Sequence, residues 1–198
     1  LFGCHYTIMG DVSQNINYDT GMNDWEELRK QVFCGERQHF HILAKSYRNT
    51  IEISEYAGRI LQKASLGAYR ITPVIRHGRE VEERRFESED DMLSKIAENV
   101  SESLNPDNGK FETAAVITMT EEEAFDLYRM LKKQGVDASY IDRNSSAFKK
   151  GLTVTTFYLA KGLEFDQVFA IRGAKDNPLS KQAEYISATR ALHELYVY

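Results

Sequence analysis

The sequence predicts an α/β fold, a mostly parallel sheet with helices packed on both faces. Strand-like apolar runs alternate with stripes of helical period along most of the chain. Residues 114–119 are apolar without alternation, which marks a strand covered on both sides. Directly after them, Thr120 and Glu123 stand at capping-box spacing, so that strand passes at once into a helix.

The remaining elements follow in order. Residues 5–9 read as a short strand running into Gly10-Asp11, and Trp25, Leu28 and Val32 recur at helical spacing before Gly35, a C-cap. Residues 40–44 are a strand candidate. Thr50 caps a helix whose apolar face is Ile53, Ala57, Ile60 and Leu61. The Arg- and Glu-rich stretch 72–86 reads as one or two exposed strands, a small hairpin being one arrangement. From Ser88, the stripe Met92, Leu93, Ile96, Ala97, Val100 and Leu104 is helical, and 105–109 is a loop. Ala124, Leu127, Tyr128 and Leu131 form the face of the next helix, which Gly135 ends. Strands are expected at 136–141, 152–157 and 167–171. Pro178 opens a helix running to about His193, and 194–198 closes as a strand. Sites in such folds are expected at the carboxyl ends of the strands.

Composition narrows the function classes. The 198 residues fit one domain or one domain with a small appendage, and 42% hydrophobic with 28% charged residues is an ordinary globular balance. No apolar run approaches spanning length, so no membrane partner is expected. The chain begins at Leu1 rather than Met, so a longer polypeptide is expected. Cys4 and Cys34 lack CxxC spacing, which predicts neither a disulfide framework nor a zinc site and favours a reducing, cytoplasmic setting. His39 and His41 have no Cys or carboxylate at ligand spacing, so no metal site is expected. A net charge of −5 and a pI of about 5.6 predict a weak grip on nucleic acid by this chain alone.

Phosphate chemistry is marked first by what is missing. There is no GxxxxGK[ST]; Gly109-Lys110-Phe111 lacks the hydroxyl residue and follows a loop. No strand ends in a paired Asp-Glu. The chain alone should not hydrolyse ATP, and the lack of GxGxxG excludes a dinucleotide enzyme. Four short stretches remain. Gly10-Asp11-Val12-Ser13-Gln14 has the pattern GDxxQ. Tyr47-Arg48 follows a strand candidate, placing a ring that can stack on adenine beside a guanidinium that pairs phosphate oxygens. Ala160-Lys161-Gly162-Leu163-Glu164-Phe165-Asp166 joins two strands, with Glu164 placed to accept from a ribose hydroxyl. Tyr185-Ile186-Ser187-Ala188-Thr189-Arg190-Ala191 precedes the last strand.

In this order the stretches resemble motifs III, IV, V and VI of the UvrD/Rep-like helicases of superfamily 1, over nearly the whole chain. The resemblance implies the second RecA-like half of a P-loop NTPase-type motor, lacking its own P-loop. It implies that 1–38 carries the motif III strand and a linker from the first half, and that 39–198 is the second RecA-like domain. Arg48 and Arg190 would act as arginine fingers on the transferring phosphoryl group, with Gln14 as a third catalytic residue. Tyr47, Lys161, Gly162, Glu164 and Asp11 would serve ATP, and Tyr18, Thr155, Thr156 and Tyr158 the nucleic acid. The implied cofactors are ATP and Mg²⁺, held mainly by the N-terminal RecA-like half. That half and single-stranded DNA are the implied partners.

The departures keep alternatives open. Asp19 stands about where the family places an aromatic residue that stacks on bases, a contact worth roughly 1–3 kcal/mol per base. The family's motif V His is Phe157 or Tyr158 here. The stretch 49–152 holds no large inserted domain, a pattern resembling the helicase IV and HelD-like branch. RNA polymerase is the alternative partner on that branch, as the target of a remodelling ATPase. A degenerate RecA-like module used only for binding is the second alternative.

Overall fold

The computed structural model describes residues 6–15, 24–32, 39–64, 72–107, 109–145 and 149–198. Cys4, Cys34, Gly35, Asp19 and Tyr18 lie outside them. Five helices are described: α1 (Trp25–Gln31), α2 (Ile51–Ala64), α3 (Glu89–Ser103), α4 (Glu121–Lys133) and α5 (Pro178–Ala188). The strands are β1 (Lys45–Ser46), β2 (Thr72–Pro73), β3 (Glu82–Glu83), β4 (Thr113–Thr118), β5 (Ala138–Tyr140), β6 (Gly151–Thr156), β7 (Phe165–Ala170) and β8 (Ala191–Val197).

Six strands form one sheet in the order β3-β8-β7-β4-β6-β5, and every ladder is parallel. Alternation along β4 divides the core. Ala115 and Ile117 join α2 and α5 on one face, through Ile53, Ala57, Ile60 and Ile186. Ala114 and Val116 join α3 and α4 on the other, through Leu93, Ile96, Leu127 and Leu131. Helices α2, α3 and α4 bury most of the stripe their spacing prescribes, whereas α1 buries none of its residues and Val32 at its end is exposed. The helix starts are equally local: Ser88 and Asn177 accept from Asp91 N and Ser180 N, and Thr120 with Glu123 closes the capping box. After α4, Gly135 takes φ +80°, a left-handed conformation that glycine adopts without steric cost.

Several expectations are corrected. Among the described residues, 6–9 form no strand; Asp11 instead caps a 3-10 turn at Val12–Gln14. The strand expected at 40–44 is confined to 45–46, where β2 supplies a short parallel partner. Stretch 72–86 forms no hairpin, because β2 pairs with β1 while β3 joins the edge of the main sheet at β8. The last helix ends at Ala188 rather than near His193, and β8 begins at Ala191. Strand pairing overrides helical propensity there, since Phe165 is in register with Ala191 and its N–H donates to Arg190 O at 3.0 Å.

Candidate functional site at the amino-end rim

The connection 157–164 leaves the carboxyl end of β6 and re-enters the sheet at the amino end of β7, on the far side of β4. It contains no helix. It passes through two turns, closed by Ala160 N donating to Thr156 O at 2.9 Å and Leu163 N donating to Ala160 O at 3.0 Å. Phe157 and Ala160 are buried against the α2–α5 face as it passes. Gly162, at φ +88°, makes the final turn. Tyr158 is thereby left at the carboxyl-end rim and Glu164 is delivered to the amino-end rim.

At that rim the separate sequence stretches meet. Arg48, in the loop after β1, places Nε 2.6 Å from Glu164 Oε1. Arg190 occupies the turn between α5 and β8 and is 1% exposed. Its guanidinium donates to Ile186 O at 3.2 Å, Leu163 O at 3.4 Å, Gln14 Oε1 at 3.2 Å and Thr189 Oγ1 at 3.2 Å. Gln14 Nε2 donates to Asp11 Oδ2 at 2.7 Å, while Asp11 Oδ1 accepts from Ser13 N at 2.9 Å. Asp11, Gln14 and Arg190 thus form a relay, with Arg48 and Glu164 beside it. Burial lowers the proton affinity of Arg190, and the nearby Arg48 charge lowers it further; Glu164, Tyr185 and Asp11 act in the opposite sense. Burial also raises the Tyr185 hydroxyl well above its ordinary value.

Arg48 and Arg190 share one cluster, but not where the strand-end rule puts it. Glu164 immediately precedes β7 and Arg190 immediately precedes β8, so the rim is that of the amino ends. Nor does Arg190 project into an open cleft, because its guanidinium is enclosed by carbonyls and by Gln14. Glu164 spends one carboxylate oxygen on Arg48. Tyr47, on the same loop as Arg48, is 74% exposed, and Lys161 and Gly162 lie exposed in the turn before Glu164.

The residues expected to serve nucleic acid fare differently. Thr155 and Thr156 are buried within the sheet; Thr155 Oγ1 donates to Ile141 O at 3.1 Å, and Thr156 Oγ1 is enclosed with no hydrogen-bond partner among the described residues. Both lie below the surface that a strand of nucleic acid could touch. Tyr158 is half-buried and donates to Glu121 Oε1 at 2.7 Å, with Arg143 over its ring.

The carboxyl-end rim instead holds a crevice of about 410 Å³. It opens where α4 and α5 leave the adjacent strands β4 and β7 for opposite faces, the topological switch point of the sheet. Arg172 on its wall is tied to Glu83, to Glu184 Oε1 at 3.1 Å and to Tyr56 Oη at 2.9 Å. Arg59, Arg85 and Lys175 also line it and are exposed; among the described residues they form no ion pair. Sequence reasoning missed these three, because an Arg- or Lys-rich stretch does not reveal which cations end up unpaired. It also missed Asn49 and Arg76, discussed below, although Asn49 directly follows Arg48. No cluster of metal-ligating residues occurs among the described residues. No described helix is long and apolar enough to cross a membrane.

The six-stranded parallel sheet with helices on both faces is the RecA-like fold of helicase C-terminal domains. The chain is similar to the C-terminal domain of a possible DNA helicase from Lactobacillus plantarum WCFS1, at 28% identity and a TM-score of 0.55, over 77% of this chain and 86% of that one. A fainter likeness links it to Arterivirus nonstructural protein 10 (helicase), solved in complex with DNA. There the identity is 14% and the TM-score 0.40, over 71% of this chain and 30% of that chain, too slight to bear on this site. No protein-family model matches the sequence, and no curated protein does.

Proposed function

We propose that this chain is the second RecA-like lobe of an ATP-driven helicase or translocase of UvrD-like type, presenting Arg48 and Arg190 to ATP and Mg²⁺ held by an N-terminal RecA-like half. The observation that carries the reading is the single cluster in which Asp11, Gln14, Arg48, Glu164 and Arg190, drawn from four distant stretches, meet. A scaffold has no use for two guanidinium groups gathered at one rim, whereas a phosphoryl group in transfer needs them. In this reading the γ-phosphate competes with Glu164 for Arg48 and with Gln14 for Arg190. The neighbouring β1–β2 pair supports it by exposing Leu43, Tyr47 and Ile75, apolar surface suited to cover by another lobe.

Single-stranded DNA is assigned to the switch-point crevice, where Arg59, Arg85 and Lys175 offer charge to phosphates. Net charge keeps that grip weak in the isolated chain. The short stretch 49–152 keeps RNA polymerase as the alternative target: co-purification with polymerase and poor duplex unwinding would favour it over the DNA helicase reading.

The test is steady-state ATP hydrolysis by the complete motor. Arg48→Ala and Arg190→Ala should each lower kcat by about 10³-fold or more with a smaller change in KM, since fingers act mainly on the transition state. The chain alone should show no turnover. Normal kcat in either variant would refute the reading.

A further inference from the structure

The loop carrying Arg48 and the turn carrying Arg190 lie far apart in sequence, and two side chains outside the cluster join them. Asn49 is buried, and its Nδ2 donates to Thr189 O at 3.3 Å and to Ala191 O at 2.6 Å. Those carbonyls belong to the two residues that flank Arg190. Arg76 Nη2 donates to the carbonyl oxygen of Arg48 and to Leu192 O at 2.7 Å. The Arg76 carbonyl in turn accepts from Ile51 N at 3.0 Å, which holds the start of α2 in the same assembly. Every one of these bonds runs to backbone. They fix the path of the chain on either side of each arginine and leave the two guanidinium groups to their own partners.

We infer that Asn49 and Arg76 are positioning residues that lock the Arg48 loop to the Arg190 turn, so that both arginines address the nucleotide as one unit. The inference rests on the proposed role of those arginines. The residue types fit the task. An Asn amide carries two N–H donors on one nitrogen, matching two carbonyls, whereas Asp would set a third acceptor against them and Ser would offer one donor. A guanidinium reaches two carbonyls through one nitrogen in the same way. Removing either side chain leaves carbonyls unsatisfied and frees one arginine to move against the other. A small misplacement of this kind costs rate more than affinity.

The experiment is ATP hydrolysis by the complete motor, with rates expressed per folded molecule from circular dichroism. Asn49→Ala and Arg76→Gln should each lower kcat about tenfold or more while KM for ATP changes less than about threefold. Asn49→Ser, which keeps one donor, should recover part of the loss. In the pair Asn49→Ala with Arg190→Ala, the loss of turnover should be clearly less than the product of the two single losses, because one of the two arginines that the latch positions is already gone. Normal kcat in the folded latch variants overturns the inference, as does an additive loss in the double variant. Failure of both latch variants to fold would make the pair scaffold and equally overturn it. If Arg48→Ala and Arg190→Ala are themselves normal, the nucleotide reading falls and takes the latch with it. If those two are slow while folded latch variants are normal, the latch alone falls.

Discussion

The two rims of the sheet treat their arginines in opposite ways. At the amino-end rim, Arg190 is enclosed and donates four hydrogen bonds within the protein, and Arg48 is held by a carboxylate. At the carboxyl-end rim, Arg59 and Lys175 stand exposed over an open crevice, whereas Arg172 and Lys181 on its wall are paired with carboxylates. The first arrangement fixes geometry before a ligand arrives and suits a reaction in which charge must meet a transition state of defined shape. The second leaves charge mobile and hydrated and suits a polyanion recognised by its phosphates in many registers. The connection 157–164 is common to both, ending at Tyr158 on one side and Glu164 on the other.

The comparison is most severely tested by stability. Arg190→Ala in the isolated chain should lower unfolding free energy by about 2–3 kcal/mol, because it strips donors from Leu163 O, Ile186 O and Gln14. Arg59→Ala and Lys175→Ala should change it by less than about 0.5 kcal/mol. Urea denaturation of the three variants decides this, and equal losses would erase the distinction between the rims.

Nucleic-acid binding should show the reverse. In a salt titration followed by fluorescence anisotropy, Arg59→Ala or Lys175→Ala should each reduce the slope of log K against log salt for single-stranded DNA by about 0.7. Arg48→Ala should leave that slope unchanged. A drop caused by Arg48→Ala would assign both rims to nucleic acid.

The smallest effect concerns the buttress of the amino-end rim. Glu52, in the first turn of α2, is pulled in two directions. Partial burial raises its pKa, and hydrogen bonds with His77 Nδ1 at 2.9 Å and from Gly78 N at 2.9 Å outweigh that and hold it at about 2. A carboxyl depressed on folding contributes stability that is fully present above its ordinary value of 4.5 and is lost as pH falls from there towards about 2. Glu52→Gln should therefore lower thermal stability near neutral pH, where the carboxylate's contribution is fully present, and flatten the acid limb, so that the difference from the unsubstituted chain closes as pH falls from 4.5 towards about 2. An acid limb unchanged by Glu52→Gln would remove the carboxyl from the buttress.

Local rules made much of this molecule legible. Helix starts are set by side chains reaching their own next turn, as at Ser88, Thr120 and Asn177, and helix faces by a period that any packing partner must respect. The apolar run of β4 announced a central strand for the same reason. Where an element depended on a distant partner, the sequence was mute or misleading. Residues 6–9 form no strand among the described residues, and 191–193, helical by pattern, were turned into the start of β8 by pairing with β7. Motif order alone placed Arg48, Glu164 and Arg190 in one reading, but which rim they occupy depends on how the connection 157–164 travels back along the sheet. That Arg190 is buried, that Thr155 and Thr156 lie beneath the surface, and that Asn49 grips the carbonyls around Arg190 are long-range facts. Each is decided by which groups meet across the fold, from neighbouring strands around Thr155 and Thr156 to more than a hundred residues of chain between Asn49 and the carbonyls it grips. A carbonyl is the same acceptor in every residue, so no residue type in the sequence marks it.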